Sequence, residues 1–105
     1  MGFFDPAYKK MLAKAPASFR ERADMWLVMI EEGIKRHNAV VTADFYRATV
    51  IGHLAITSSE KEPGIWSEDA LKDIRLKLNA SNTMLSKELQ LRAFQDAEMI
   101  YPLAG

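Results

Sequence analysis

Two histidines, His37 and His53, are the side chains of this 105-residue sequence best suited to bind a metal ion or transfer protons near neutral pH. Both tasks need a carboxylate or a nucleophile beside the imidazole, which on a helix means three or four residues away. Neither histidine has a carboxylate at these positions. We therefore expect structural roles, with His37 at the C-terminal end of a helix, where its cation complements the helix dipole, and His53 packed or at the surface.

Other patterns that could support catalysis are paired carboxylates, a cysteine nucleophile and a glycine-rich phosphate loop. The carboxylates Glu31–Glu32 and Glu68–Asp69 are sequence neighbours, and neighbours on a helix point about 100° apart, so neither pair predicts an acid–base dyad. The chain has no cysteine, and its five glycines are too scattered for a nucleotide-binding fingerprint. We therefore expect a protein that is not an enzyme, without catalytic residues, a metal ion or a cofactor.

The N-terminal part of the chain is basic, although the whole chain is neutral, with 14 basic and 14 acidic residues. Residues 1–22 hold two acidic residues against five basic ones, which are candidates for contact with an anion or nucleic acid: Lys9, Lys10, Lys14, Arg20 and Arg22. A helix-turn-helix would place the segment after Thr42 in the DNA groove. That segment has Arg47 as its basic residue and Asp44 near its start, which makes it a poor groove reader.

The candidate residues named above are expected to lie on helices or in the turns between them, because the apolar segments of the sequence have a helical period or a helix start signal. The start signals are Asp5 before a proline, Ser18 in a capping box with Glu21, Thr42 before Asp44, and Ser67 before two acids. They predict helices over residues 5–14, 18–36, 42–57 and 67–99. The last is either one helix or two, broken at 79–83, where the residues are poor helix formers. The predicted fold is all-α, a compact bundle of four or five amphipathic helices in a single domain over 1–105.

The second helix has the most regular apolar stripe, and Trp26 lies at its middle. Its members recur at helical spacing: Phe19, Ala23, Trp26, Leu27, Ile30 and Ile34. This spacing places them within an arc about 100° wide. It therefore predicts that this face lies in the core and that Trp26 is buried.

Two predicted helices carry more apolar surface than one core-facing stripe requires. If residues 67–99 form one helix, the stripe Leu71–Leu89 faces the core and a second set lies opposite: Leu76, Met84, Leu91 and Phe94. The second helix has a similar extra set: Met25, Val28 and Met29. Two explanations stay open: both helices are central in the bundle, or the extra sets form a protein interface.

The leading functional hypothesis is a non-catalytic protein-binding or assembly module of the small adaptor, inhibitor or chaperone type. We expect it to associate with itself, as a homodimer or a larger assembly, and also with another protein. The alternative is a nucleic-acid-associated regulator that uses the basic N-terminal end. The third hypothesis is an enzyme or small-ligand binder without a recognisable motif. The lack of cysteine favours a cytoplasmic location. No apolar run approaches the roughly 20 residues that span a bilayer, so we expect no membrane association.

Overall fold

The computed structural model describes residues 4–103, which contain five α-helices and one short 3₁₀-helix. The helices are α1 Ala7–Ala13, α2 Ala17–Arg36, α3 Ala43–Lys61, α4 Glu68–Thr83 and α5 Lys87–Ile100, followed by the 3₁₀-helix Tyr101–Leu103. The prediction of an all-α bundle is confirmed. No helix within the described range is both long enough and apolar enough to cross a membrane. The predicted domain 1–105 includes residues 1–3 and 104–105, which lie outside that range.

Prolines, instead of polar caps, begin the first two helices. Pro6 is the N-cap of α1 and Pro16 is the N-cap of α2. The predicted N-cap positions, Asp5 for α1 and Ser18 for α2, are therefore wrong. The fixed φ of proline prepares the chain for helical entry, so α2 begins one residue before Ser18.

Two serines do cap helices through their side chains. The Ser67 hydroxyl accepts a hydrogen bond from the backbone N–H of Ala70 at 3.1 Å, as the sequence predicts for the start of α4. At the start of α5, Ser86 accepts the N–H of Leu89 at 3.2 Å, a cap that we did not predict. Thr42 occupies the N-cap position of α3 without a side-chain cap bond.

The last helical region consists of two helices, and the turn between them covers residues 84–86 instead of the predicted 79–83. Residues 79–83 complete the final turn of α4 despite their low helix propensity. The N–H of Met84 donates to the carbonyl of Ser81 at 3.1 Å. The N–H of Leu85 donates to the carbonyl of Asn82, also at 3.1 Å, so the helix tightens before it ends. Helix α3 also continues past the predicted end at 57, to Lys61.

Helix α3 is the centre of the bundle, since it contacts each of the other four α-helices. It meets α4 closely at Gly52, where a Cβ atom would lie 2.8 Å from the Cβ of Leu78. From α2, Trp26 enters the core with no exposed surface, and its indole N–H donates to the carbonyl of Ile100 at 3.0 Å. The predicted burial of Trp26 is confirmed. The chain leaves α2 through Asn38 at φ 56°, and the N–H of Ala39 closes this end on the carbonyl of Ile34 at 2.8 Å.

Candidate protein interface

The second apolar set of the last helical region lies on the surface. Although the turn at 84–86 resets the helical angles, all four of its members keep between 46 and 63% of their surface exposed: Leu76, Met84, Leu91 and Phe94. Leu91 and Phe94 are one turn apart on α5 and therefore share a face. Leu76 belongs to α4 and Met84 to the turn, so the single continuous stripe expected of one long helix does not exist.

The extra set on α2 divides between the surface and the core. Met25 is 55% exposed and Val28 is 61% exposed. Met29 is partly buried and packs against the core. The predicted set therefore combines two exposed residues with one that the bundle already covers.

A cleft between α3 and α5 borders the exposed ring of Phe94. Its volume is about 490 Å³, and its walls include Phe94 and Tyr101 as well as the carboxylates Glu60 and Glu98. We call it the α3–α5 cleft. Next to it, the rings of His53 and Phe94 meet edge to face with centroids 5.3 Å apart. Burial lowers the pKa of His53, which keeps the imidazole neutral at neutral pH.

A second depression, which we call the α1–α2 groove, has apolar walls formed by Tyr8, Leu27 and Val28. Arg47 from α3 closes one side of it. Its Nε and Nη2 atoms donate to the two carboxylate oxygens of Glu31, both at 2.6 Å, and its Nη1 donates to Asp44 at 2.7 Å. The hydrogen bond to Arg47 lowers the pKa of Glu31, and the same bond raises the pKa of Arg47. Arg47 is therefore committed to partners within the chain.

Three of the five predicted anion-binding residues have partners within the chain. Lys14 pairs with Asp73 at 3.5 Å, and Arg20 donates to the carbonyl of Ala15. Arg22 donates to the carbonyl of Tyr101 at 2.7 Å, and its guanidinium lies over the rings of Trp26 and Tyr101. Among residues 4–103, no ion-pair partner is found for the other two: Lys9 and Lys10.

The sequence did not predict a buried polar cluster that surrounds the carboxylate of Asp96 on α5. Asp96 itself is 6% exposed. The Tyr46 hydroxyl donates to Asp96 Oδ2 at 2.6 Å, and Arg36 Nη2 donates to Oδ1 at 3.2 Å. His37 Nε2 lies 3.5 Å from the same Oδ1. Burial, followed by the hydrogen bond to Asp96, raises the pKa of Tyr46. Space for the carboxylate comes from Gly33, where a Cβ atom would overlap Asp96 Oδ2.

The Asp96 cluster joins the end of α2 and the start of α3 to α5, and Asp96 lines neither the cleft nor the groove. His37 is the C-cap residue of α2, as expected from its position in the sequence. The carboxylate beside it belongs to Asp96, which is far from His37 in the sequence. A rule that considers only residues three or four positions from His37 could not identify it. Within the described residues, no group of three or more histidine, aspartate or glutamate side chains could hold a metal ion.

No protein-family model, no curated protein and no solved structure matches this chain. The surfaces described above are therefore the basis for any proposal about function. On α5, Leu91 and Phe94 are exposed, whereas Asp96 of the same helix is buried and accepts hydrogen bonds from Tyr46 and Arg36.

Proposed function

We propose that the protein is a non-catalytic protein-binding module that associates with further copies of itself, as a small adaptor, inhibitor or chaperone would. One observation carries the proposal: Leu91 is 54% and Phe94 is 46% exposed on the outer face of α5. The inner face of the same helix is occupied by other residues: Ala93, Asp96, Ala97 and Ile100. Large apolar side chains that are exposed on one face of a helix offer a surface for a partner to cover. The absence of cysteine supports a cytoplasmic location for this role.

Leu91 and Phe94 supply part of the free energy that an assembly needs. Burying a fully exposed large apolar side chain contributes about 1.5 to 3 kcal/mol, and these two are already about half buried, so two residues from each of two molecules contribute roughly 3 to 6 kcal/mol. Association itself costs several kcal/mol in lost motion, so these side chains alone support weak association and the rest of the contact must add to it. The proposed self-association therefore depends on protein concentration.

Sedimentation velocity of the wild type beside Leu91→Glu and Phe94→Glu tests this proposal. We expect the wild type to form oligomers as its concentration rises, and each glutamate variant to remain monomeric because a charge on this face would have to be desolvated. Ser18→Glu is the matched control, since it introduces the same charge at an exposed position of α2 where the helix dipole favours it. This control should associate as the wild type does.

Far-ultraviolet circular dichroism establishes that each variant keeps its helical structure. A wild type that stays monomeric at every concentration would contradict the proposal. Variants that unfold instead of dissociating would also contradict it, because Leu91 and Phe94 would then contribute to the core.

A further inference from the structure

The α3–α5 cleft has the size and the mixed lining of a small-molecule site. Its volume of about 490 Å³ lies within the range of roughly 300 to 1,000 Å³ that is typical of ligand sites in proteins. Two aromatic rings, of Phe94 and Tyr101, and two carboxylates, of Glu60 and Glu98, are among its walls. Ligand sites usually combine such apolar walls with a few polar groups that orient the ligand.

The two carboxylates have no cation of their own. Glu60 of α3 and Glu98 of α5 are both exposed, and neither has an ion-pair partner among residues 4–103. Lys61 is the one basic residue that lines the cleft, and it lies in the last turn of α3, where its charge complements the helix dipole. The lining therefore has two acidic residues against one basic residue, and a single monovalent cation would balance its net negative charge.

The aromatic walls suit a cation as well. The faces of aromatic rings attract ammonium and guanidinium groups. The Tyr101 ring already has such a neighbour within the chain, since the guanidinium of Arg22 lies 4.7 Å from its centroid. The ring of Phe94 contacts the imidazole of His53 edge to face and still keeps 46% of its surface exposed. Phe94 therefore offers ring surface to a ligand that lies beside the two carboxylates.

We infer that the α3–α5 cleft binds an organic cation, in which a primary ammonium or guanidinium group is carried by an apolar or aromatic body. The cationic group pairs with the carboxylates of Glu60 and Glu98, and the body packs against the ring of Phe94. A simple inorganic cation has no apolar body to cover that ring. A free amine has this chemistry, and so does a lysine or arginine side chain of another protein. The inference goes beyond the proposed function, because it concerns a ligand of a single copy.

Titration of the nitrogen-15-labelled protein with phenethylammonium, followed by NMR, tests the inference. We expect amide signals of residues around the cleft to shift and to give a dissociation constant. Phenethyl alcohol and phenylacetate are the chemical controls, since they have a similar body without charge and with negative charge. The alcohol should bind at least tenfold more weakly than the amine, because it cannot form charge-assisted hydrogen bonds as a cation does, and phenylacetate should not bind.

Substitution of the carboxylates tests the site. Glu60→Gln with Glu98→Gln preserves the shape of both side chains and removes their charges, so the affinity for phenethylammonium should fall by about tenfold or more. The matched control, Glu21→Gln with Glu32→Gln, changes two exposed positions of α2 and gives the same net charge. The control should bind the amine as the wild type does. Far-ultraviolet circular dichroism checks that both variants keep their helical structure.

The two sources of the cation are separated by a further pair of ligands. Lysine and arginine with blocked backbone groups represent basic side chains of another protein. If either binds at least as tightly as phenethylammonium, the inference holds with a basic side chain as the ligand. If the free amine binds more tightly than both, the inference holds with a small molecule as the ligand.

Three results would overturn the inference: no shift of the cleft signals at millimolar phenethylammonium, equal binding of the amine and the alcohol, or undiminished binding by Glu60→Gln with Glu98→Gln. Phe94 also belongs to the proposed self-association face, so the titration uses a protein concentration at which sedimentation velocity detects the monomer. A wild type that stays monomeric at every concentration and binds the amine contradicts the proposed function alone. A wild type that associates without binding the amine contradicts this inference alone.

Discussion

Each face of α5 holds an exception to the usual distribution of polar and apolar residues. On the inner face, Asp96 is buried between Ala93 and Ala97, whereas on the outer face Leu91 and Phe94 are about half exposed. A buried carboxylate and an exposed apolar ring both cost free energy unless a partner covers them.

The two faces differ in where those partners are found. The carboxylate has its partners inside the chain, since Tyr46 and Arg36 both donate hydrogen bonds to it. The outer face is covered only in part, by the imidazole of His53 beside Phe94. The inner face is therefore explained by contacts within the bundle, and the outer face is where we propose that a second molecule binds.

Removing the carboxylate should have the largest effect on stability. Asp96→Ala leaves the buried Tyr46 hydroxyl without its acceptor and removes the ion pair to Arg36. We expect the free energy of unfolding to fall by about 3 kcal/mol, because deleting one partner of a buried polar network leaves the other unsatisfied. Urea denaturation followed by circular dichroism measures this loss. The control Asp24→Ala, at an exposed position of α2, should change stability by less than about 0.5 kcal/mol; equal losses would show that the Asp96 cluster has no special role.

A smaller effect is expected from Gly33→Ala, whose new Cβ atom overlaps Asp96 Oδ2. In the wild-type background we expect a loss of about 1 to 3 kcal/mol from overpacking. In the Asp96→Ala background the overlap is gone, and alanine is favoured over glycine inside a helix by about 1 kcal/mol, so the same substitution should stabilise. This double-mutant cycle isolates the contact between α2 and α5. A loss of the same size in both backgrounds would place the steric conflict elsewhere.

The fold could be predicted because its signals are local. Apolar residues at helical spacing identified the buried face of α2, and a serine before two acids identified the start of α4. The position of the turn after α4 was missed because low propensity at residues 79–83 is a weak preference. Burial of Leu85 and capping by Ser86 decide it instead.

The candidate interface was partly predictable and the Asp96 cluster was not. Leu91 and Phe94 both follow the turn, so their shared face survives the break, whereas the relation of Leu76 to them is lost with it. The partners of Asp96 lie 50 and 60 residues away in sequence, where no spacing rule applies. The one local signal was an acid at a core position of α5, three residues after Ala93 and four before Ile100.

The smallest expected effect is the pH dependence of stability that His53 contributes at the outer face of α5. Burial lowers the pKa of His53 below its ordinary value of 6.5. The unfolded chain then binds a proton at this residue more readily than the folded chain does. The stability associated with neutral His53 is therefore complete above pH 6.5 and is lost as the pH falls through the lowered pKa of the folded state. Urea denaturation of the wild type and of His53→Gln, at several values between about pH 5 and pH 8, isolates this contribution, because other groups titrate equally in both proteins.

We expect the wild type to lose stability relative to His53→Gln as the solution is acidified, by less than the Gly33→Ala effect. Repeating the pair in a Phe94→Ala background uncovers the imidazole, whose edge-to-face neighbour is then missing, so the pH-dependent difference should shrink. This result would show that Phe94 does desolvate His53 even though its own ring is half exposed. The difference in the free energy of unfolding between the wild type and His53→Gln could instead be independent of pH, or unchanged by Phe94→Ala. Either result would mean that the outer face of α5 does not influence the protonation of His53. The comparison of the two faces would then depend on the exposure of Leu91 and Phe94 alone.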